Sequence, residues 1–222
     1  MGPDPETALK DCDTLMLDMD GTLLDLSYDN YVWLEMVPAR YAAHHGVPEA
    51  DARKTLYAKM HSLKGQLECY CLDYCSEILD LHVVALHREL DHRIDFLPGA
   101  REFLESLAGH ELRLLLVTNS HQTTLDIKTE VTGVAEFFDE IYTSHDLGHA
   151  KEDQPFWRAL HDAEKFDARR SLFVDDNLAV LASAREFGLE NLLAIARPVS
   201  HEPPREVEGF VAIEGVCDLM AT

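Results

Sequence analysis

The chain has 222 residues, enough for one large domain or a core carrying a smaller insert, and its 46% hydrophobic and 27% charged content excludes a disordered acidic tail. Acidic residues number 41 and basic ones 19, a net charge of −22, so the field around the chain repels phosphates and argues against a nucleic-acid polymer as partner. Any phosphate that binds must do so through a local device that overcomes this field.

Thr14-Leu15-Met16-Leu17 is a short apolar run with the composition of a fully buried strand, and the chain turns acidic immediately after it. From about Leu26 to about Phe96 no strand-like alternation is found. The segment is expected to hold helices near Tyr31–His45, Ala50–Tyr70 and Leu72–His92, with Pro38 kinking or splitting the first. About 70 residues without strands are too many for a loop, so 26–96 is expected to be an inserted helical cap. Beyond it, Ala100, Phe103, Leu104 and Leu107 recur at helical spacing. Leu112–Val117 predicts a second strand and Glu140–Thr143 a weaker one. Phe156, Ala159, Leu160 and Ala163 predict a helix opened by Pro155. Ser171–Val174 predicts a strand, Val180, Ala184 and Phe187 a helix closed by Gly188, and Asn191–Ala196 another strand. After Pro203 and Pro204, Phe210–Ile213 is a candidate edge strand. Strands alternating with helices predict an α/β fold with a doubly wound parallel sheet, its core formed by 1–25 and 97–222.

Asp18-Met19-Asp20-Gly21-Thr22 follows directly on the first strand. In open parallel sheets, ligands bind beyond the carboxyl ends of the strands. Asp18 and Asp20 are two apart, so in extended chain they share a side, and Gly21 permits a sharp exit. Two adjacent carboxylates repel, and a hard cation relieves this. Thr118-Asn119-Ser120 follows the Leu112–Val117 run, Asp175-Asp176-Asn177 follows Ser171–Val174, and Lys151 lies just ahead of a helix. Singly these are caps, turns and a surface lysine; together they place a nucleophile, a hydroxyl, a cation and a second carboxylate pair at one mouth.

These residues resemble the haloacid dehalogenase superfamily of phosphatases with a helical cap. Its four motifs are matched in order by Asp18/Asp20, Thr118, Lys151 and Asp175/Asp176. Asp18 to Pro38, Tyr70-Cys71-Leu72-Asp73-Tyr74, and Lys151-Glu152-Asp153-Gln154 with Trp157 resemble the bacterial GMP/IMP 5′-nucleotidases of that superfamily. The resemblance implies an Mg²⁺-dependent phosphate monoester hydrolase acting on purine mononucleotides. Asp18 is then the nucleophile and Asp20 the general acid and base. Asp18, the Asp20 carbonyl and Asp176 hold the metal, with Asp175 acting indirectly. Thr118 and Lys151, with Asn119 beside them, hold the phosphoryl oxygens. A sugar-phosphate phosphatase or a β-phosphoglucomutase-like mutase uses the same carboxylate pair, and a binding module on an inactive scaffold is the non-enzymatic rival.

Base-contact candidates in the cap are Trp33, Tyr74 and Asn30, with Tyr70, Asp29, Lys64 and Asp73 as further polar or aromatic possibilities; the aromatic ones more often belong to a core. Cys69, Cys71 and Cys75 form a C-x-C-x₃-C cluster with helical flanks and no fourth ligand, so no metal is expected of it. The 12 histidines show no metalloprotease spacing. Five cysteines suit free thiols better than a disulfide framework. With no long apolar run and no apolar stretch in Met1–Lys10, a cytoplasmic protein without a membrane partner is expected.

Overall fold

A computed structural model describes residues 2–10, 12–63 and 65–220. Lys64 lies outside the described residues. The first strand, β1 (Thr14–Leu17), is buried along its whole length, as a strand covered on both faces must be. The others are β2 (Arg113–Thr118), β3 (Glu140–Thr143), β4 (Ser171–Asp175), β5 (Asn191–Ile195) and β6 (Val211–Ile213). They form one sheet in the order β3-β2-β1-β4-β5-β6, parallel throughout. Strand β2 starts one residue later than expected and runs on to Thr118, and Asp175 is the last residue of β4 rather than the first after it. Leu17 pairs with Leu116 on one side and Val174 on the other, so Asp18, Val117 and Asp175 emerge level with one another. The chain winds outward through β3, then crosses back to β4. The switch point between β1 and β4 is where such a sheet opens a crevice.

Period-two alternation divides the core. Leu15, Leu17, Leu116, Val174 and Ile195 face one side, packed with Phe103 and Leu104 of α6 (Ala100–Ser106) and Leu125 of α7 (Gln122–Thr132). Met16, Leu115, Val117 and Phe173 face the other. They meet Phe156, Trp157 and Leu160 of α9 (Gln154–Glu164) and Val180 and Ala184 of α10 (Leu178–Phe187). Each such large apolar side chain contributes roughly 1.5–3 kcal/mol on full burial. The helix α7 was not expected, because its apolar positions are few and four threonines lie among them.

Among the described residues no strand lies between β1 and β2. Ahead of α6 come α1 (Ser27–Tyr31), a stretch of wider π-type turns at Val32–Met36, α2 (Val37–His45), α3 (Glu49–Leu63), a 3₁₀ turn at Leu67–Tyr70, α4 (Leu72–Leu79), α5 (Val83–Glu89) and a 3₁₀ turn at Asp91–Arg93. The helix expected to reach Tyr70 therefore stops at Leu63. Pro38 does not break the chain's course. It falls in the first turn of α2, directly after the π-type turns, and the Leu34 carbonyl accepts from Arg53 of α3. The segment leaves and returns at one place: Asp25 N–H donates to Asp95 O at 2.9 Å, and Leu97 N–H to Leu23 O at 2.8 Å. Among the described residues no helix is long and apolar enough to cross a membrane. A short helix, α8 (Ser144–Leu147), follows β3, opened by a capping box between Thr143 and Asp146.

Candidate active site

Two strands and a turn deliver the central charges to one point. Asp18 leaves the end of β1, Asp175 ends β4, and Lys151 sits in the turn before α9, buried to 2% exposure. The Lys151 ammonium donates to Asp18 Oδ1 at 2.5 Å, Asp175 Oδ2 at 2.8 Å and the Val117 carbonyl at 3.0 Å. The turn that aims it is fixed from three directions. Asn119 Oδ1 accepts from Lys151 N–H at 2.9 Å, Asn119 Nδ2 donates to Glu152 at 2.9 Å, and Trp157 Nε1 donates to the Lys151 carbonyl at 2.8 Å. Asn119, expected among the phosphate-binding groups, thus spends its side chain on positioning Lys151. Thr118 is buried and its hydroxyl accepts from Ser120 N–H at 3.0 Å.

Burial disfavours the Lys151 charge, yet Asp175 and Asp18 outweigh it and raise its pKa above the ordinary lysine value. Burial pushes Asp18 and Asp175 up, and Lys151 offsets this only in part. Asp176 stands at about 7, raised by burial and then by Asp18. Oxygens of Asp18, Asp175 and Asp176 lie within 4.8 Å of one another. Three carboxylates and one ammonium leave two negative charges in a buried, all-oxygen site, and this matches a hard divalent cation such as Mg²⁺. Both Asp175 oxygens are already engaged, by Lys151 and by Asn177 N–H at 2.7 Å. The Asp176 side chain accepts no hydrogen bond among the described residues, and Arg205 holds its carbonyl. Gly21 makes this approach possible: its φ is +80°, and a Cβ there would stand 2.9 Å from Asp176 Cγ.

Asp20 has a different set of partners. Ser120 Oγ donates to its Oδ2 at 2.6 Å, and Lys128 Nζ to its Oδ1 at 2.6 Å. Lys128 comes from the middle of α7, is 1% exposed, and also donates to both oxygens of Asp29 at 2.8 Å. Asp29, expected only as a possible cap contact, is pushed up to about 6 by burial against the pull of Lys128. Lys128 itself is raised, because Asp20 and Asp29 outweigh its burial. Lys128 was not singled out from the sequence, and Ser120 was noted only as part of the Thr118-Asn119-Ser120 run. One signal was available: Leu125, Lys128 and Thr132 fall on one face of α7, so the lysine sits on the inward face of its helix.

The pocket at this candidate site, about 130 Å³, is lined by Asp18, Asp20, Thr118, Lys151 and Asp176, and Tyr70 reaches in from the inserted segment. The Tyr70 hydroxyl donates to Glu152 at 2.8 Å, and burial and then Glu152 hold its pKa above the ordinary phenol value. Tyr70 also lines an apolar cavity of about 670 Å³ within the inserted helices, together with Trp33, Leu56 and Met60. Trp33 stands edge-on to His87, 5.7 Å between ring centres. Tyr74 lines neither space, Asn30 lines a separate surface groove with Arg93 and His201, and Asp73 is exposed.

The family model for haloacid dehalogenase-like hydrolases matches residues 15–194. A GMP/IMP nucleotidase of Escherichia coli, YrfG, is 39% identical over 193 residues, 87% of each chain. Among solved structures, a phosphatase of the same superfamily from Thermococcus onnurineus superposes with a TM-score of 0.77 over 93% of this chain and 95% of its own, at 18% identity. An L-2-haloacid dehalogenase from Xanthobacter autotrophicus superposes at 0.63 over 94% and 96%, at 17% identity, so the fold alone does not fix the chemistry.

Proposed function

The chain belongs to the haloacid dehalogenase-like hydrolases and is a phosphatase, and from that premise we propose that it dephosphorylates purine 5′-mononucleotides of the IMP and GMP type. The observation that carries this is the shared wall at Tyr70. The catalytic pocket of about 130 Å³ has room for a phosphoryl group and little more, whereas the adjoining apolar cavity of about 670 Å³ has the size of a small-molecule site. Residues 26–96 then act as a cap that reads the nucleoside while the core reads phosphate. Trp33 is the residue placed to stack on a base.

In the proposed reaction Asp18 attacks phosphorus while Asp20 gives a proton to the departing ribose oxygen. The phosphorus–oxygen bond of the ester breaks, leaving nucleoside and an aspartyl-phosphate. Asp20, now a carboxylate, takes a proton from water, whose oxygen attacks phosphorus. The acyl-phosphate bond breaks, phosphate leaves and Asp18 is restored. Lys151 and Thr118 hold the phosphoryl oxygens, and Lys151 is the local device that offsets the field of a chain carrying −22. Asp18, the Asp20 carbonyl and Asp176 would hold Mg²⁺, with Asp175 behind them; when bound, the ion supplies positive charge to the phosphoryl oxygens.

IMP and GMP present a 6-oxo group and a protonated N1, where AMP presents a 6-amino group and an unprotonated N1. A site that hydrogen-bonds the former edge discriminates against the latter by up to ~10⁴–10⁵-fold. Phosphate release across nucleoside and sugar monophosphates, with Mg²⁺ and with chelator, tests the proposal. The expected order of kcat/KM is IMP and GMP, then AMP, then pyrimidine nucleotides and sugar phosphates, all abolished by the chelator. A sugar phosphate as best substrate, or a requirement for a sugar bisphosphate without net phosphate release, would overturn the nucleotidase proposal.

A further inference from the structure

Beside the contact of Tyr70 with Glu152, three side chains that the hydrolysis does not use converge from three parts of the chain. Cys71 lies between the 3₁₀ turn and α4, His121 precedes α7, and His145 belongs to α8. One donor atom from each, the Cys71 sulfur and a ring nitrogen of either histidine, lies within 4.8 Å of the other two. All three residues are half-buried. The histidine rings meet edge to face with centres 4.8 Å apart at 89°. The His145 Nε2 atom is buried and has no hydrogen-bond partner among the described residues. An unsatisfied buried polar atom of this kind costs roughly 1–3 kcal/mol. Burial and then His121 lower the His145 pKa, a direction that favours the neutral ring. His145 Nδ1 stands 3.3 Å from Ser144 Oγ, whose hydroxyl donates to the Asn119 carbonyl at 3.0 Å. That is the kind of outer contact that orients a ligating imidazole. The His121 ring is held more loosely, its Nδ1 accepting from Thr123 N–H at 3.4 Å.

We propose that Cys71, His121 and His145 form a second metal site, for a borderline-soft divalent ion of the Zn²⁺ class, that fastens the inserted helical segment to the core. The donor set decides the class. One thiolate and two imidazoles suit Zn²⁺, whereas Mg²⁺ takes oxygen ligands and belongs with the aspartates. Three protein ligands leave a fourth position for water. Zn²⁺ binds sulfur at about 2.3 Å and nitrogen at about 2.0–2.1 Å, so the donors close inward by side-chain rotation as the ion enters. Cys71 gives up its thiol proton to solvent in the process. The ion would sit one residue from Tyr70 on one side and one residue from Ser120 on the other, two residues that line the catalytic pocket. Binding would therefore hold the pocket's cap wall against its core wall. The C-x-C-x₃-C spacing hides the site, since two of the three ligands come from the far side of the chain.

Cobalt titration of the full-length, metal-stripped protein tests the site, because a thiolate bound to Co²⁺ gives a charge-transfer band in the near ultraviolet that an all-oxygen site cannot give. One equivalent of Co²⁺ is expected to produce that band with the visible absorption of four-coordinate cobalt. Zn²⁺ should displace the ion and Mg²⁺ should not. The band should vanish in Cys71→Ser and persist in Cys69→Ser and Asp176→Asn. His121→Gln and His145→Gln should each weaken Co²⁺ binding at least about tenfold. Without added Zn²⁺, Cys71→Ser should hydrolyse p-nitrophenyl phosphate at the wild-type rate, and Zn²⁺ should slow the wild type more than the variant. X-ray absorption of the Zn²⁺-loaded wild type needs no variant and should show one sulfur and two imidazole nitrogens around the ion. Absence of a thiolate band, a band unchanged in Cys71→Ser or in both histidine variants, or an all-oxygen shell around zinc overturns the site.

Discussion

Two buried lysines flank the Asp18–Asp20 pair, and each binds two carboxylates. Lys151 joins Asp18 to Asp175 across two strands of the core, in a turn held by Asn119 and Trp157. Lys128 joins Asp20 to Asp29, a core loop to the first inserted helix, from the middle of α7. With Asp176 beside it, the Lys151 cluster carries two negative charges in excess and calls for a divalent cation. The Lys128 cluster carries one in excess, which a single proton satisfies. In the proposed reaction these surroundings fit the two aspartates for different work: Asp18 as a nucleophile beside a cation site, Asp20 as the group that exchanges a proton. The second cluster also ties this proton chemistry to the inserted helices, since Asp29 belongs to them.

The largest expected effect falls on the Lys151 side. Asp18→Asn keeps the shape but removes the attacking charge, and kcat should fall more than about a thousandfold, some 4 kcal/mol of barrier. Lys151→Met should lose roughly 10²–10³-fold with every substrate, because the phosphoryl group it is proposed to hold is common to all of them. Steady-state rates on IMP and p-nitrophenyl phosphate check both, and near-normal turnover in either variant breaks the assignment.

Lys128→Met should act selectively. It leaves Asp20 and Asp29 facing each other without a counter-charge, so proton transfer suffers, a step typically worth ~10²–10⁴-fold. The loss should be large for IMP, whose ribose oxygen needs a proton to leave, and smaller for p-nitrophenyl phosphate in single-turnover formation of the phosphoenzyme. Equal losses with the two substrates would place Lys128 in the scaffold and not in the acid–base machinery. Asp20→Asn should show the same leaving-group dependence.

A smaller effect is expected in the cap. Trp33→Ala should raise KM for IMP by about tenfold, since base stacking contributes about 1–3 kcal/mol, and leave p-nitrophenyl phosphate hydrolysis unchanged. A fall in kcat for both substrates would argue that Trp33 holds the cap together instead.

The smallest effect lies at the edge of the Lys128 cluster and concerns stability alone. His87, 1% exposed, receives the Tyr28 hydroxyl on its carbonyl at 2.8 Å, and its ring is lowered to about 4 by burial and then by Lys128. An imidazole whose folded-state pKa lies below its ordinary 6.5 opposes folding as it protonates. Its stabilising share is complete above about 6.5 and is lost as pH falls towards 4, at most ~3 kcal/mol. Urea melts of wild type and His87→Gln should diverge in slope between those pH values. Parallel pH profiles would contradict a neutral buried ring.

Much of the Lys151 side was legible in the sequence because strand ends mark it: short apolar runs announce β1, β2 and β4, and Asp18, Thr118 and Asp175 follow from where those runs stop. The Lys128 side was not. A lysine within a threonine-rich stretch looks like a surface residue until α7 is known to be a helix with Lys128 on its inner face. Asp29 gains meaning only when α1 is folded back over that face. The helical character of the stretch between β1 and β2 was legible from the missing strands, and Pro38 marked the irregularity that the π-type turns supply just before it, whereas the end of α3 at Leu63 depends on packing that no local pattern encodes.

The division of labour between the two clusters rests on Asp18 becoming covalently phosphorylated, and acid-quench labelling measures this directly. Asp20→Asn protein mixed with ³²P-labelled IMP and Mg²⁺, then quenched in acid within one turnover, should carry label on the Asp18 peptide, and Asp18→Asn should carry none. Release of phosphate by the wild type with no labelled protein at any quench time, in either wild type or Asp20→Asn, would contradict the account.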